Sequence, residues 1–432
     1  MKHINPVKPL SLQQNISWSL LGNAVYSVCQ WGILMVLAKR GSALMVGQFA
    51  LSLAITAPVY MFSNLQLRVV QATDARNQYA FGHYLGLRVL TVTASLLIIG
   101  LIIMAGDYQG NTAWVILWVG LAKGFESFSD IVFGLLQKHE CMNRVAVSLL
   151  FKGPLTLLVV VLALWTTGSI VAAVMGLALV WLLLLLGYDL VNARQFSRIQ
   201  PVLELRKLRP LILISLPLGV VMMFISLNTN IPRYFIEGKI GTEELGYFAA
   251  LTYVTVAGAV MIDALERSAA PRLAKYYSGG LFKDFRALLL KLVLSGLALG
   301  VAGLVVVLLF GPKILTILYQ PGYAAYAHVF ALIMVGSGLG YMASFFGCAM
   351  TAARCFKIQP FLHALIVLVS VLSSAVLIPL KGLEGAAYVL IITMSLQLAG
   401  SFLISGYLLR RAARQPEGTS IDGQREGSCE PV

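Results

Sequence analysis

Twelve stretches of about 20 apolar residues recur along this chain, at 16–38, 43–65, 84–105, 111–137, 145–166, 168–191, 211–236, 243–265, 286–311, 326–350, 358–380 and 384–409. Each is long enough, as a helix, to cross roughly 30 Å of hydrocarbon. No water is available there to bind backbone N–H and C=O groups, so every span must close its hydrogen bonds within its own helix. That condition selects an all-α polytopic membrane protein. Composition agrees: 59% of the residues are hydrophobic and 12% charged, against about 25% charged in a soluble domain.

A net charge of +14 is compatible with a nucleic-acid partner, but its distribution ties it to a membrane. With a cytoplasmic N-terminus and alternating spans, inner segments hold 25 Lys and Arg and outer segments six, Lys123 completing the 32. That bias places both termini in the cytoplasm, and no continuous basic face for nucleic acid is evident. The first span is long, lacks a small-residue cleavage site and is followed at once by another, so it is expected to remain as an uncleaved anchor. The five cysteines (Cys29, Cys141, Cys348, Cys355, Cys429) show no paired spacing and are expected to be free thiols.

The longest polar break, 192–210, holds Arg194, Arg198, Arg206, Lys207 and Arg209 and separates six spans from six. The chain therefore divides into a six-helix lobe at 1–191, a basic cytoplasmic linker at 192–210, a second six-helix lobe at 211–410 and a tail at 411–432. The tail is rich in Gly, Glu, Ser and Pro and is expected to be disordered. An offset of 199 pairs Gly47, Phe49 and Ala50 with Gly246, Phe248 and Ala249, Thr56 with Thr255, Arg68 with Arg267 and Ala75 with Ala274. Because each half has an even number of spans, the halves read as parallel repeats.

Candidate functional residues are those that hydrocarbon tolerates least. Lys123, Glu126 and Asp130 of the fourth span fall within roughly 60° of one another on one helix face. Trp114 and Trp118 toward one end, and Lys138 and Arg144 beyond the other, mark the two interfaces. Lys123 then lies near mid-depth, where a charge costs about 2.5–3.5 kcal/mol. One reading is a solute path whose Lys attracts an anionic head group while a carboxylate exchanges a proton or coordinates a cation. The other is a Lys123–Glu126 pair at i,i+3 that neutralises itself and pins a neighbouring helix, leaving Asp130 without an obvious partner.

The seventh span carries Asn228, Asn230, Pro232 and Arg233. Pro232 removes a backbone donor, which points either to a broken helix lining a substrate path or to the outer end of the span with Arg233 snorkelling. Asp263, Glu266 and Arg267 close the eighth span, and Asn64 and Arg68 hold the equivalent places in the second. These arginines read as topology anchors or as a paired basic gate suited to phosphate. Gly296, Gly300 and Gly303, like Gly336, Gly338 and Gly340, most simply permit close helix packing. His83, His139, His328 and His363 are isolated. No phosphate-binding Gly-Lys loop, zinc-protease pair or nucleophile elbow is present, so neither a catalytic residue nor a metal site is assigned.

The run Gly47-Gln48-Phe49-Ala50-Leu51-Ser52-Leu53-Ala54, followed by Asn64-Leu65-Gln66-Leu67-Arg68, resembles the second span and exit of bacterial oligosaccharide flippases. So does Leu121-Ala122-Lys123-Gly124-Phe125-Glu126-Ser127-Phe128-Ser129-Asp130, continuing through Leu136-Gln137-Lys138-His139-Glu140-Cys141-Met142. These are the Wzx-type polysaccharide transporters, related to lipid II flippases and MATE multidrug exporters. The resemblance implies a two-lobed, MATE-like transporter of the bacterial inner membrane. It would move an undecaprenyl-pyrophosphate-linked oligosaccharide between leaflets by alternating access, for O-antigen, capsule or exopolysaccharide. It further implies bilayer lipids and polysaccharide polymerase machinery as partners, no nucleic acid, no cofactor, and coupling to a proton or sodium gradient. The chain has twelve spans where the lipid II branch usually has fourteen, and its first span lacks the acidic residue of the drug exporters. Two other functions remain open: a cation-coupled exporter of small amphipathic molecules, and a membrane-embedded polymerase or ligase. The enzyme would be expected to carry a large outer loop, and the longest outer connection here is 311–325.

Overall fold

The computed structural model describes residues 10–74, 77–106, 108–353 and 358–413, with no strand among them. The helices are α1 (Leu12–Arg40), α2 (Ala43–Ser63), α3 (Leu67–Thr73), α4 (Phe81–Ala105), α5 (Gly110–Lys138), α6 (Met142–Thr167) and α7 (Ile170–Leu184). A π turn (Leu185–Asp189) joins α7 to α8 (Leu190–Ala193). Then come α9 (Leu205–Lys239), α10 (Thr242–Ser278), α11 (Phe282–Leu318), a 3-10 turn (Pro321–Tyr326), α12 (Ala327–Ala352) and α13 (Gln359–Ala413).

Among the described residues, ten helical segments are long and apolar enough to cross a membrane. Two further crossings complete the expected twelve. Helix α5 has the length, 29 residues, but its four charged residues lower its hydropathy. Helix α13 has 55 residues, about 80 Å of helix, and breaks at Gly382, whose φ of 58° and ψ of −134° are non-helical. Leu362 and Gly400 pack together, a Cβ on Gly400 falling 2.6 Å from Leu362 Cδ1. The two halves of α13 are thus separate, adjacent spans. The closely spaced fifth and sixth spans are divided by Gly168, left-handed at φ 61°, and by Ser169, whose side chain accepts from Ala172 N–H to start α7.

Two readings are resolved differently. Helix α9 continues through Pro232 to Lys239, so of the two alternatives at that proline the broken helix is absent; membrane helices accommodate an internal proline when neighbouring groups satisfy the freed carbonyl. The same helix begins at Leu205, inside the stretch read as linker. The remaining linker docks on α4: Val202 N–H donates to Gly82 O at 2.8 Å. Cys29, Cys141 and Cys348 are free thiols as expected. Ala75, Cys355, Cys429 and the tail from residue 414 lie outside the described residues.

The chain forms two compact units, Met1–Asn230 and Ile231–Val432. In the first, α5 is central and packs against α2, α3, α4, α6, α7 and α8. One of its core clusters includes Leu67, Tyr84, Ile131, Leu136, Val145 and Leu211, all buried. In the second, α12 packs against α10, α11 and α13. There Gly300 and Gly338 allow α11 and α12 to touch, a Cβ on Gly300 falling 2.8 Å from Gly338 Cα.

Helix α3 reaches α5 by an unusual route. Leu65 and Gln66 both adopt φ 50°, turning the chain sharply after α2. Left-handed non-glycine residues each cost about 1–3 kcal/mol and persist only where packing enforces them; Leu65 is buried. The turn lays α3 on Gly134, where a Cβ would lie 2.7 Å from the Gln71 amide and 3.2 Å from Arg68 Cα. Beyond α3, Asp74 gathers the loop: its carboxylate accepts from Gln78 N–H (3.0 Å) and Tyr79 N–H (3.2 Å) and pairs with Lys138 at 3.7 Å. Burial pushes this carboxyl up, but the backbone donors and the Lys138 charge outweigh it and hold it below its ordinary value.

Gly134→Val is expected to destabilise the protein by about 1–3 kcal/mol through overpacking, read as a lower thermal midpoint in detergent. Gly347→Ala, which meets nothing within 4 Å, should leave the midpoint unchanged. For Asp74 the folded value is depressed, so its stabilisation is full above the unfolded value of about 3.9 and is lost as pH falls through the lower folded value. Hydrogen exchange of the loop should therefore accelerate in acid, and Asp74→Asn should show the fast exchange already at pH 7.

Candidate functional site

The charged stripe of α5 is met from three sides. Lys123 Nζ lies 2.7 Å from Glu126 Oε2, the i,i+3 pair anticipated from spacing. Tyr26 of α1 donates to Glu126 Oε1 at 2.9 Å. Asp130 proves to have two partners, Arg68 of α3 and Arg88 of α4, each at 3.5 Å. Arg68 Nε also donates to Gln137 Oε1 at 3.1 Å, and its guanidinium lies 5.6 Å from the centre of the Phe133 ring. Asn64, at the end of α2, joins the same cluster. Its side-chain oxygen accepts from Ser127 Oγ (2.8 Å) and from Arg88, and its backbone carbonyl accepts from Arg88 Nη2 at 3.3 Å. Asn64, Arg68 and Asp130 are therefore one assembly, placed by the left-handed turn that returns α3 to α5.

Behind this half-exposed layer lies a buried one that the sequence reading passed over. Arg88, Lys152 and Asp189 are 0%, 1% and 1% exposed. Lys152 Nζ donates to Ser129 Oγ at 3.4 Å, and Ser129 and Ser148 each donate to Asp189 at 2.7 Å. The π turn of the sixth span ends on Asp189 and aims it inward; such turns recur at functional positions. Trp181 stands between the layers. Lys123 and Lys152 lie 5.4 and 5.2 Å from its ring centre, and its indole N–H donates to Thr156 at 3.0 Å. Each cation–π contact contributes about 0.5–2 kcal/mol.

The signal for these residues was positional. Lys152 sits within Phe151-Lys152-Gly153-Pro154 of the fifth span, Arg88 within the third and Asp189 within the sixth. Arg88 and Lys152 enter the sequence only as two of the 25 Lys and Arg of the inner segments, with no role assigned to either. Full burial sets them apart from residues that reach an interface.

The remaining candidates are elsewhere. Asn228 and Asn230 are buried in α9, and the Asn230 amide donates to Ser226 O at 2.8 Å. Arg233 is half-buried on the same helix, in the second unit. Asp263 and Arg267 are exposed on α10, with Glu266 half-buried. The offset that pairs Arg68 with Arg267 does not extend to their surroundings, since only Arg68 sits in a built polar cluster. Among the described residues no group of His, Cys, Asp and Glu could hold a metal ion.

The profile of a family described as "Polysaccharide biosynthesis protein" matches residues 12–277. Capsular polysaccharide biosynthesis protein CapF of Staphylococcus aureus is 24% identical over 394 residues, covering 89% of this chain and 97% of that protein. An inward-facing multidrug resistance MATE transporter of the MOP superfamily shares the fold, with a TM-score of 0.69 at 13% identity over 92% of this chain and 100% of that one. The lipid II flippase MurJ, in an inward closed conformation, gives a TM-score of 0.72 at 10% identity, over 92% and 90%.

Removing one partner of a buried charge cluster costs about 3–5 kcal/mol, whereas replacing both with apolar groups is often tolerated. Asp189→Ala should therefore lower the thermal midpoint sharply, and Asp189→Ala combined with Lys152→Met should recover most of the loss. A double variant as unstable as the sum of the two singles would show that the two groups do not compensate each other.

Proposed function

The chain belongs to the polysaccharide biosynthesis protein family, and from that premise we propose that it is a flippase. Its cargo is an undecaprenyl-pyrophosphate-linked oligosaccharide, carried across the bacterial inner membrane by alternating access for surface polysaccharide synthesis. Both termini face the cytoplasm, in keeping with the bias of Lys and Arg, and the polysaccharide polymerase takes up the cargo on the far side. The observation that carries this reading is the two-layered charge cluster on α5. Lys123, Glu126, Asp130 and Arg68 keep 27%, 31%, 29% and 30% of their side-chain surfaces exposed, while Arg88, Lys152 and Asp189 behind them are buried.

The arithmetic of the cluster favours an anion. Four cations (Arg68, Arg88, Lys123, Lys152) face three carboxylates (Glu126, Asp130, Asp189), and the excess positive charge sits among low-dielectric walls where its field is strong. The pyrophosphate competes with Asp130 for the Arg68 fork, a geometry suited to phosphate oxygens. Lys123 adds a point charge from about two turns away along α5. A carboxylate released from its cation then takes up a proton or a sodium ion, which couples transport to the ion gradient.

Lys123→Ala and Asp130→Ala should each reduce surface polysaccharide at least tenfold while the protein remains inserted; normal polymer in both would remove the cluster from the mechanism. Purified protein in vesicles should move a labelled polyprenyl-pyrophosphate sugar between leaflets. Transport of amphipathic dyes without this lipid would instead favour a small-molecule exporter.

A further inference from the structure

A second site lies in the other unit, and its chemistry is the opposite of the first. Where α10 begins, three tyrosines at the end of α11 and in the 3-10 turn gather around Tyr247. Tyr247 and Tyr326 stack at 4.5 Å and 28°, Tyr323 meets Tyr247 edge-on at 4.9 Å, and Tyr319 lies 5.1 Å from Tyr323. Two carboxylates flank the rings: Tyr326 donates to Glu244 at 3.2 Å, and Tyr247 to Glu243 at 3.5 Å. Tyr247 and Tyr326 are half-buried and Glu243 is exposed.

Two observations separate this cluster from a simple belt of interfacial tyrosines. Tyr323 is 2% exposed, and its hydroxyl has no hydrogen-bond partner among the described residues. A buried hydroxyl normally finds a partner, so an orphan one is a position held for something absent. In addition, Gly322 is exposed, and a Cβ there would meet only the Tyr247 hydroxyl, at 3.9 Å. The approach to the rings is open on that side.

We propose that Tyr247, Tyr323, Tyr326, Glu243 and Glu244 form a binding site for the neutral sugar part of the cargo, separate from the anion site on α5. The site rests on the transport reading above for its biological ligand. Sugars present C–H faces that pack on aromatic rings and hydroxyls that donate to carboxylates. The carboxylates hold their acceptor lone pairs toward such donors, and the same two charges repel phosphate. A sugar hydroxyl entering beside Gly322 supplies the partner that the Tyr323 hydroxyl lacks.

The test uses full-length protein in nanodiscs and a probe without lipid or phosphate: the oligosaccharide repeat unit released by mild acid from the native host's lipid-linked pool. Saturation-transfer NMR should detect binding to the wild type. Tyr247→Ala and Gly322→Trp should weaken it at least tenfold, and Gly322→Ala should retain it. Tyr247→Phe, which keeps the stack, guards against a folding defect and should weaken binding less than Tyr247→Ala. Absence of binding to the wild type, or equal binding by Tyr247→Ala and Gly322→Trp, overturns the site and leaves the cluster an interfacial anchor. The two readings fail separately. Lipid transfer in vesicles without oligosaccharide binding removes this site and keeps the flippase; binding without lipid transfer removes the flippase and keeps the site.

Discussion

A charge in hydrocarbon survives only when other groups replace the water it has lost, and the first unit is organised around that requirement. Helix α5 carries three ionisable groups at its middle, and the elements around it bring compensation. From α1 comes a tyrosine hydroxyl, from α3 and α4 two guanidiniums, from α6 an ammonium, from the π turn a carboxylate. Apolar contacts alone would let these helices slide and rotate against one another, since lipid tails are as apolar as leucine. The polar contacts fix which faces meet. Stability and specificity of the bundle thus share one set of residues with the chemistry assigned to it.

Much of this was legible in the residues, and each failure has its own physical cause. The spans were legible because length and hydropathy decide them, and the Lys123–Glu126 pair because i,i+3 contacts are local. The partners of Asp130 were not, because Arg68 and Arg88 reach it only through a left-handed turn formed by Leu65 and Gln66, neither of which is a residue type that announces such a backbone. Lys152 and Arg88 were visible as charges inside apolar spans, yet nothing local pairs either with a carboxylate: Ser129, Asp189 and Asp130 reach them only through tertiary packing. Pro232 left two readings open because within lipid a helix can absorb a proline that would end it in water.

The two units divide the chemistry between them. The first holds ion pairs, serines and a tryptophan between two ammonium groups; the second holds glycine-mediated helix contacts and, at the α10 end, stacked tyrosines beside carboxylates. Weak sequence repetition at an offset of 199 residues therefore accompanies strong divergence of side-chain function. A cargo with an anionic head and a hydroxyl-rich body has both kinds of surface, and a chain built from two similar halves can specialise one half for each.

The π turn at Leu185–Asp189 has a consequence that hydropathy alone would never register. A π turn carries one residue more than the α turn it replaces, so it shifts the phase of everything after it by about 100°. Deleting a single residue there would leave the sixth span just as apolar and still long enough for the bilayer. It would nonetheless swing Asp189 from the bundle interior toward a neighbouring face and strand Lys152 and the two serines that hold it. In this fold an insertion of one residue acts as a rotational setting, and its loss would be silent in composition while altering the electrostatics of the whole unit.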